Sequence, residues 1–161
     1  MLSVKELPIR IPLALVSTAH WELTGEPDPA VFLLGLGKVF ATAATLFVEG
    51  NSIAPDVEQL LRNCAEPGEY LPERQTLWPR STKLRVRFDV VVLADLAALA
   101  EHHAVPEICD HLFLYDDRAP LLEYPDAFFK GSVIYVSSSV SEDEVRRWAT
   151  MSDLRVQWCA V

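Results

Sequence analysis

Residues 83–88 alternate strictly, with Leu84, Val86 and Phe88 interleaved with Lys83, Arg85 and Arg87. Successive side chains of a strand point to opposite faces, so this segment reads as a strand with one buried face. A buried face needs a cover, and the next segment supplies one. Val92, Leu96, Leu99 and His103 fall on one stripe of a helix spanning about residues 91–103, where alanines raise helix propensity. Pro106 prevents that helix from running straight on.

The rest of the chain extends this pattern. Pro55 suits a first helical position, and Val57, Leu60, Leu61 and Cys64 then share one face of a helix that ends before Pro67 and Gly68. Ser141 with Glu144 forms a capping box for a third helix, whose apolar side is Val145 and Trp148. Residues 4–22 read as extended, 24–30 as a proline-restricted turn, and 31–34 with 39–48 as a hairpin turning at Gly37 and Lys38. Further strands are expected at 111–115, 121–124, 132–137 and 154–161. The reading is α+β, with about three helices packed on a mixed, largely antiparallel sheet of roughly seven or eight short strands. No repeat or linker divides the chain. Residues 66–80 read as a long surface loop, and 1–161 as one domain.

Composition supports that reading. Apolar residues make up 50% of the 161. A chain of this length buries roughly two thirds of its unfolded surface without needing a disulfide or metal. The three cysteines, Cys64, Cys109 and Cys159, form no CxxC pair, which points to a reducing, cytoplasmic setting and to Cys64 and Cys159 as core residues. The apolar run at 11–19 is broken as a secretory leader by Glu6 before it and Pro12 within it. The run at 31–48 carries Lys38 and two glycines, which argues against a membrane span.

The net charge is −9, from 14 basic and 23 acidic residues. Residues 89–126 hold nine acids against the single base Arg118. That balance disfavours nucleic acid and anionic membranes as partners and fits a protein with a basic surface.

Four groups of residues merit a chemical reading. Residues 101–111 gather three of the four histidines with Cys109, Glu101, Glu107 and Asp110. A metal bound there would use His103, Cys109 and His111, but the spacing forces no such set to converge. The expectation is that His102 and His103 complement the negative end of a helix and that no metal or cofactor is bound. A Cys109–His111 nucleophile is disfavoured by the acidic surroundings. The loop at 35–38 lacks the spacing of a phosphate loop, and the serines at 137–139 read as a strand-to-helix connection. The basic stripe Lys83, Arg85 and Arg87 reads as pairing with acids of a neighbouring strand. His20-Trp21-Glu22 and Leu77-Trp78-Pro79 place tryptophans beside turns, read as core residues.

The function expected from these features is a non-enzymatic acidic binding module, in concrete form an immunity-type or antitoxin-type inhibitor of a basic protein. Asp110, Asp116, Asp117, Glu123 and Asp126 are its expected contacts, with no catalytic residue. The alternatives are an enzyme or metal-dependent protein built on 101–111, and a structural subunit of a homo-oligomer.

Overall fold

The computed structural model describes residues 13–40, 43, 45–72 and 81–161. Its elements run β1 (His20–Thr24), α1 (Pro29–Val39), β2 (Thr45–Gly50), α2 (Pro55–Asn63), β3 (Thr82–Arg87), α3 (Val90–Ala100), α4 (Val105–Ile108), β4 (His111–Asp116), β5 (Ala119–Tyr124), β6 (Val133–Ser137), α5 (Glu142–Met151) and β7 (Arg155–Cys159). Among the described residues the strands form one sheet in the order β3-β2-β4-β5-β6-β1-β7, and every neighbouring pair is antiparallel. The architecture is α+β on a single sheet, as the residue pattern predicts.

One correction concerns residues 31–39, which are helical rather than the first half of a hairpin. The Asp28 carboxylate caps this helix by accepting from the Val31 N–H at 3.1 Å, and Pro29 occupies the first turn. Ala30, Phe32, Leu33, Gly35, Leu36 and Val39 are all buried, so α1 is apolar around most of its circumference and shows little periodicity. Gly35 is fixed by close packing, since a Cβ there would lie 2.8 Å from Cδ1 of Trp148. Strand β2, Thr45–Gly50, overlaps only the end of the second half of the hairpin expected at 39–48. Of the expected extended segment at 4–22, residues 4–12 lie outside the described residues, Leu15–Ser17 form a single 3-10 turn, and His20–Thr24 pair as β1.

The helices sit on one face of the sheet. Leu46, Val86, Leu114, Leu122, Val136 and Leu23 from the strands join Phe32, Leu33, Leu61, Leu96 and Trp148 from the helices in one core. Burying each such side chain contributes about 1.5–3 kcal/mol. Of the helix residues expected inside, Val57, Leu61, Val92, Leu96, Val145 and Trp148 are buried, while Leu60 and Leu99 pack at the margin. Trp21 is also core, and Trp78 lies outside the described residues.

The opposite face is different in kind. Strand register aligns Arg85, Phe47, Phe113, Glu123, Tyr135, Glu22 and Gln157 in one row across all seven strands. Among the described residues no α-helix covers this row, and the face is open in that sense alone. The Leu15–Ser17 turn reaches Glu123, Leu13, Tyr70 and Leu71 pack on Phe47, Phe113 and Tyr115, and Phe47, Phe113 and Glu123 are buried. A bulge between Leu114 and Tyr115 turns both Leu121 and Leu122 into the core, which returns Pro120 to the open face opposite Tyr115 and keeps Glu123 opposite Phe113. The basic stripe lies on this face as well. Lys83 stands opposite Glu49, Arg85 lies 5.7 Å from the Phe47 ring centre, and the Arg85 and Glu66 side chains approach to 3.5 Å.

Candidate functional site

A carboxylate in the middle of a sheet face is costly to bury, and the fold places Glu123 there, with Glu49 buried on the same face. Glu123 is 3% exposed. Its Oε1 accepts from the Leu15 N–H at 2.6 Å and its Oε2 from the Ala14 N–H at 3.0 Å. Burial pushes its pKa above the usual carboxylate range, against the pull of those two N–H groups and of His20. An ionised carboxylate offers about four acceptor positions, so two remain beyond these bonds.

Glu123 lines a cavity of about 370 Å³ together with Ala14, Leu71, Pro72, Phe113, Tyr115, Arg118 and Pro120. Two aromatic rings, two prolines and Leu71 give it apolar walls, and Glu123 and Arg118 give it one acidic and one basic side chain. The 3-10 turn at Leu15–Ser17 holds one side through its bonds to Glu123. Arg118 stands at the other side, 3.4 Å from Glu69, and both side chains are largely exposed. Such a pair contributes about 0–1 kcal/mol and yields readily to a competitor. Asp116 and Asp117 are exposed at the β4–β5 hairpin tip, beside Arg118. Asp117 has φ 53°, a left-handed conformation that aspartate tolerates better than most residues.

The five acids expected to act together are therefore divided. Asp116 and Asp117 occupy the hairpin tip, and Glu123 is buried where a surface contact was expected. Asp110 and Asp126 lie at the other end of the hairpin, outside the cavity lining. Asp110 is half-buried and accepts from the Asn51 N–H at 2.8 Å, which ties it to the β2–α2 connection. Asp126 is exposed at φ 47°, and its N–H donates to Nδ1 of His111 at 2.9 Å. Alternation along β5 shows which face Glu123 occupies, but only the bulge and the pairing of 14–15 show that it is buried.

The 101–111 cluster also separates. Cys109 is buried in the helix-side core, where burial and then the Asp110 charge push its thiol up to about 12. His111 lies on the open-face row with Glu49. His103 bonds neither of them. Its Nε2 faces Asp56 of α2 and its Nδ1 faces Glu107 at 3.3 Å, so just past the end of α3 it joins two helical segments. Among the described residues these three do not meet around a metal-sized space. The His/Cys/carboxylate group that does converge among the described residues is His20, Glu22 and Cys159, on β1 and β7. Its signal in the sequence is faint: a His and a Glu two apart on a strand, and a Cys on a strand that only folding brings alongside.

No family model, curated protein or solved structure matches this chain. Its function is therefore argued from its own geometry. No helix among the described residues is long and apolar enough to cross a membrane.

The His103 contacts have a measurable consequence. Hydrogen bonding to Asp56, and then to Glu107, raises its pKa above the usual histidine value despite some desolvation. A raised folded-state pKa means the stabilisation is complete below the unfolded value, about 6.5, and is lost as pH rises through the folded value. An NMR titration should place the His103 midpoint above about 6.5, and Asp56→Asn should bring it down. An unchanged midpoint in that variant would show that the Asp56 contact is absent in solution.

Proposed function

We propose that this chain is a non-enzymatic, cytoplasmic protein-binding module, an inhibitor of the immunity or antitoxin type, that docks the rim of the cavity on its helix-free sheet face against a basic partner. A lysine or arginine of the partner enters the cavity lined by Phe113, Tyr115 and Glu123. The observation that carries this reading is Glu123, a carboxylate buried beside aromatic walls with acceptor capacity left over. Cations are stabilised by carboxylates and by aromatic faces alike, and the same sheet face already stacks Lys83 on Tyr70 and Arg85 on Phe47. The net charge of −9 steers a basic partner toward the molecule, and Asp116 and Asp117 stand where it first arrives. The free state of all three cysteines fits a reducing compartment.

The test is to capture the partner from the native cell and compare variants by binding kinetics. Asp116→Asn with Asp117→Asn should leave thermal stability nearly intact, because asparagine also tolerates the left-handed conformation. Association should slow, and the deficit should shrink as the Debye length falls from about 10 Å at 0.1 M salt to about 3 Å at 1 M. Glu123→Gln should instead speed dissociation at every salt concentration, by about 2–5 kcal/mol of lost binding. An acidic partner, or binding indifferent to salt, would remove the basis of this reading.

Homo-oligomer formation is the competing reading, favoured by the β7 edge strand, where Trp158 is 46% exposed. A mass that rises with concentration and returns to that of a monomer in Trp158→Lys would support it.

A further inference from the structure

We propose that His20, Glu22 and Cys159 form a binding site for a divalent transition metal, with zinc the best chemical fit. His20 and Glu22 are two apart on β1 and share one face of the sheet. Cys159 on β7 is the direct cross-strand partner of His20. One imidazole nitrogen, one carboxylate oxygen and one sulfur then lie within 4.8 Å of one another. Zinc accepts this donor set, with bonds of about 2.0–2.3 Å, and three protein ligands leave one position for water or an incoming group.

The hydrogen bonding around His20 leaves a place for a metal ion at Nε2. Nδ1 of His20 lies 2.6 Å from the Thr18 carbonyl, which can only accept, so Nδ1 carries the proton. In the neutral ring that leaves a lone pair on Nε2. Nε2 faces Oε1 of Glu22 at 3.1 Å, so two acceptors oppose each other. A second proton on the ring resolves the conflict, and so does a metal ion between them. The carbonyl contact on the far nitrogen is the arrangement that orients metal-bound histidines. Tyr135, with its ring 5.7 Å from that of His20, closes the side toward β6. The site lies at the β7 edge of the sheet, reachable from solvent, since Glu22 and Cys159 are only half-buried. A bound ion would join the edge strand β7 to β1 and make the C-terminal strand harder to peel away.

The experiment is a zinc titration of the full chain in competition with a chromophoric chelator, followed by cobalt substitution. One zinc per chain is expected, and the cobalt form should show a thiolate-to-metal charge-transfer band. Cys159→Ser and Glu22→Gln should each weaken zinc binding by roughly 100-fold, and the serine variant should lose the band. Cys64→Ser, at the other half-buried thiol, should bind as the unmodified chain does. Glu22→Gln also separates folding from binding, because a glutamine N–H can donate to Nε2 and the zinc-free variant should keep its melting midpoint. His20→Ala alters a buried residue and is read only where its circular dichroism spectrum matches the parent. Absence of zinc binding, or binding undiminished in both Cys159→Ser and Glu22→Gln, would overturn the assignment.

Discussion

Trp148→Ala is expected to lower the free energy of unfolding by about 3–5 kcal/mol. The ring is fully buried on α5, 5.0 Å from Phe32 and 5.3 Å from Phe40, with an edge-on approach to the latter. It also fills the space left by Gly35, so alanine opens a cavity between α1 and α5 that neither helix can close by a rotamer change. Among the described residues its buried Nε1 has no hydrogen-bond partner. Trp148→Phe should therefore cost much less than Trp148→Ala, because it keeps most of the ring volume and removes an unsatisfied donor. Urea unfolding with an unchanged m-value is the appropriate measurement. Equal losses in the two variants would show that ring volume is not what α5 contributes.

Leu96→Ala is expected to cost about 2–5 kcal/mol. Leu96 is 1% exposed on the buried stripe of α3, between the sheet and the neighbouring helices. The start of the same helix offers an internal comparison. Asp89 caps it by accepting from the Val91 N–H at 2.7 Å, and its removal should cost only about 1 kcal/mol. Calorimetry of the two variants should thus separate core packing from capping. A near-parental midpoint for Leu96→Ala would mean that the stripe is wrongly placed.

Much of the fold was legible because its signals are local. Strict alternation marked β3, the Ser141–Glu144 box marked α5, and Pro55 with its acidic first turn marked α2. Helix α1 was not legible by periodicity, because its exposed stripe carries Val31 and Leu34 as well as Lys38, so no polar face sets its period. Its cap, Asp28 followed by Pro29, was present in the sequence, but the same residues also fit a turn. The candidate sites depend on long-range pairing and were harder still. Glu123 looked like one exposed acid among several, and its bonds to residues 14 and 15 span more than 100 positions of chain. The His20–Glu22–Cys159 group requires β7 to return beside β1 from the far end of the sequence. The cluster at 101–111 shows that density along the chain is not a site, since neighbours in sequence are carried to different faces.

The central claim is that the open face around Glu123, not the helical face, meets a basic protein. Hydrogen–deuterium exchange of the chain with and without its captured partner tests this most directly. The account predicts slowed exchange at residues 14–18, at 66–72 and at the 116–120 hairpin tip, with α1 and α3 unchanged. Protection confined to α1 and α3, where Val90 and Val91 are 61% and 66% exposed, with the cavity segments exchanging as before, would contradict it.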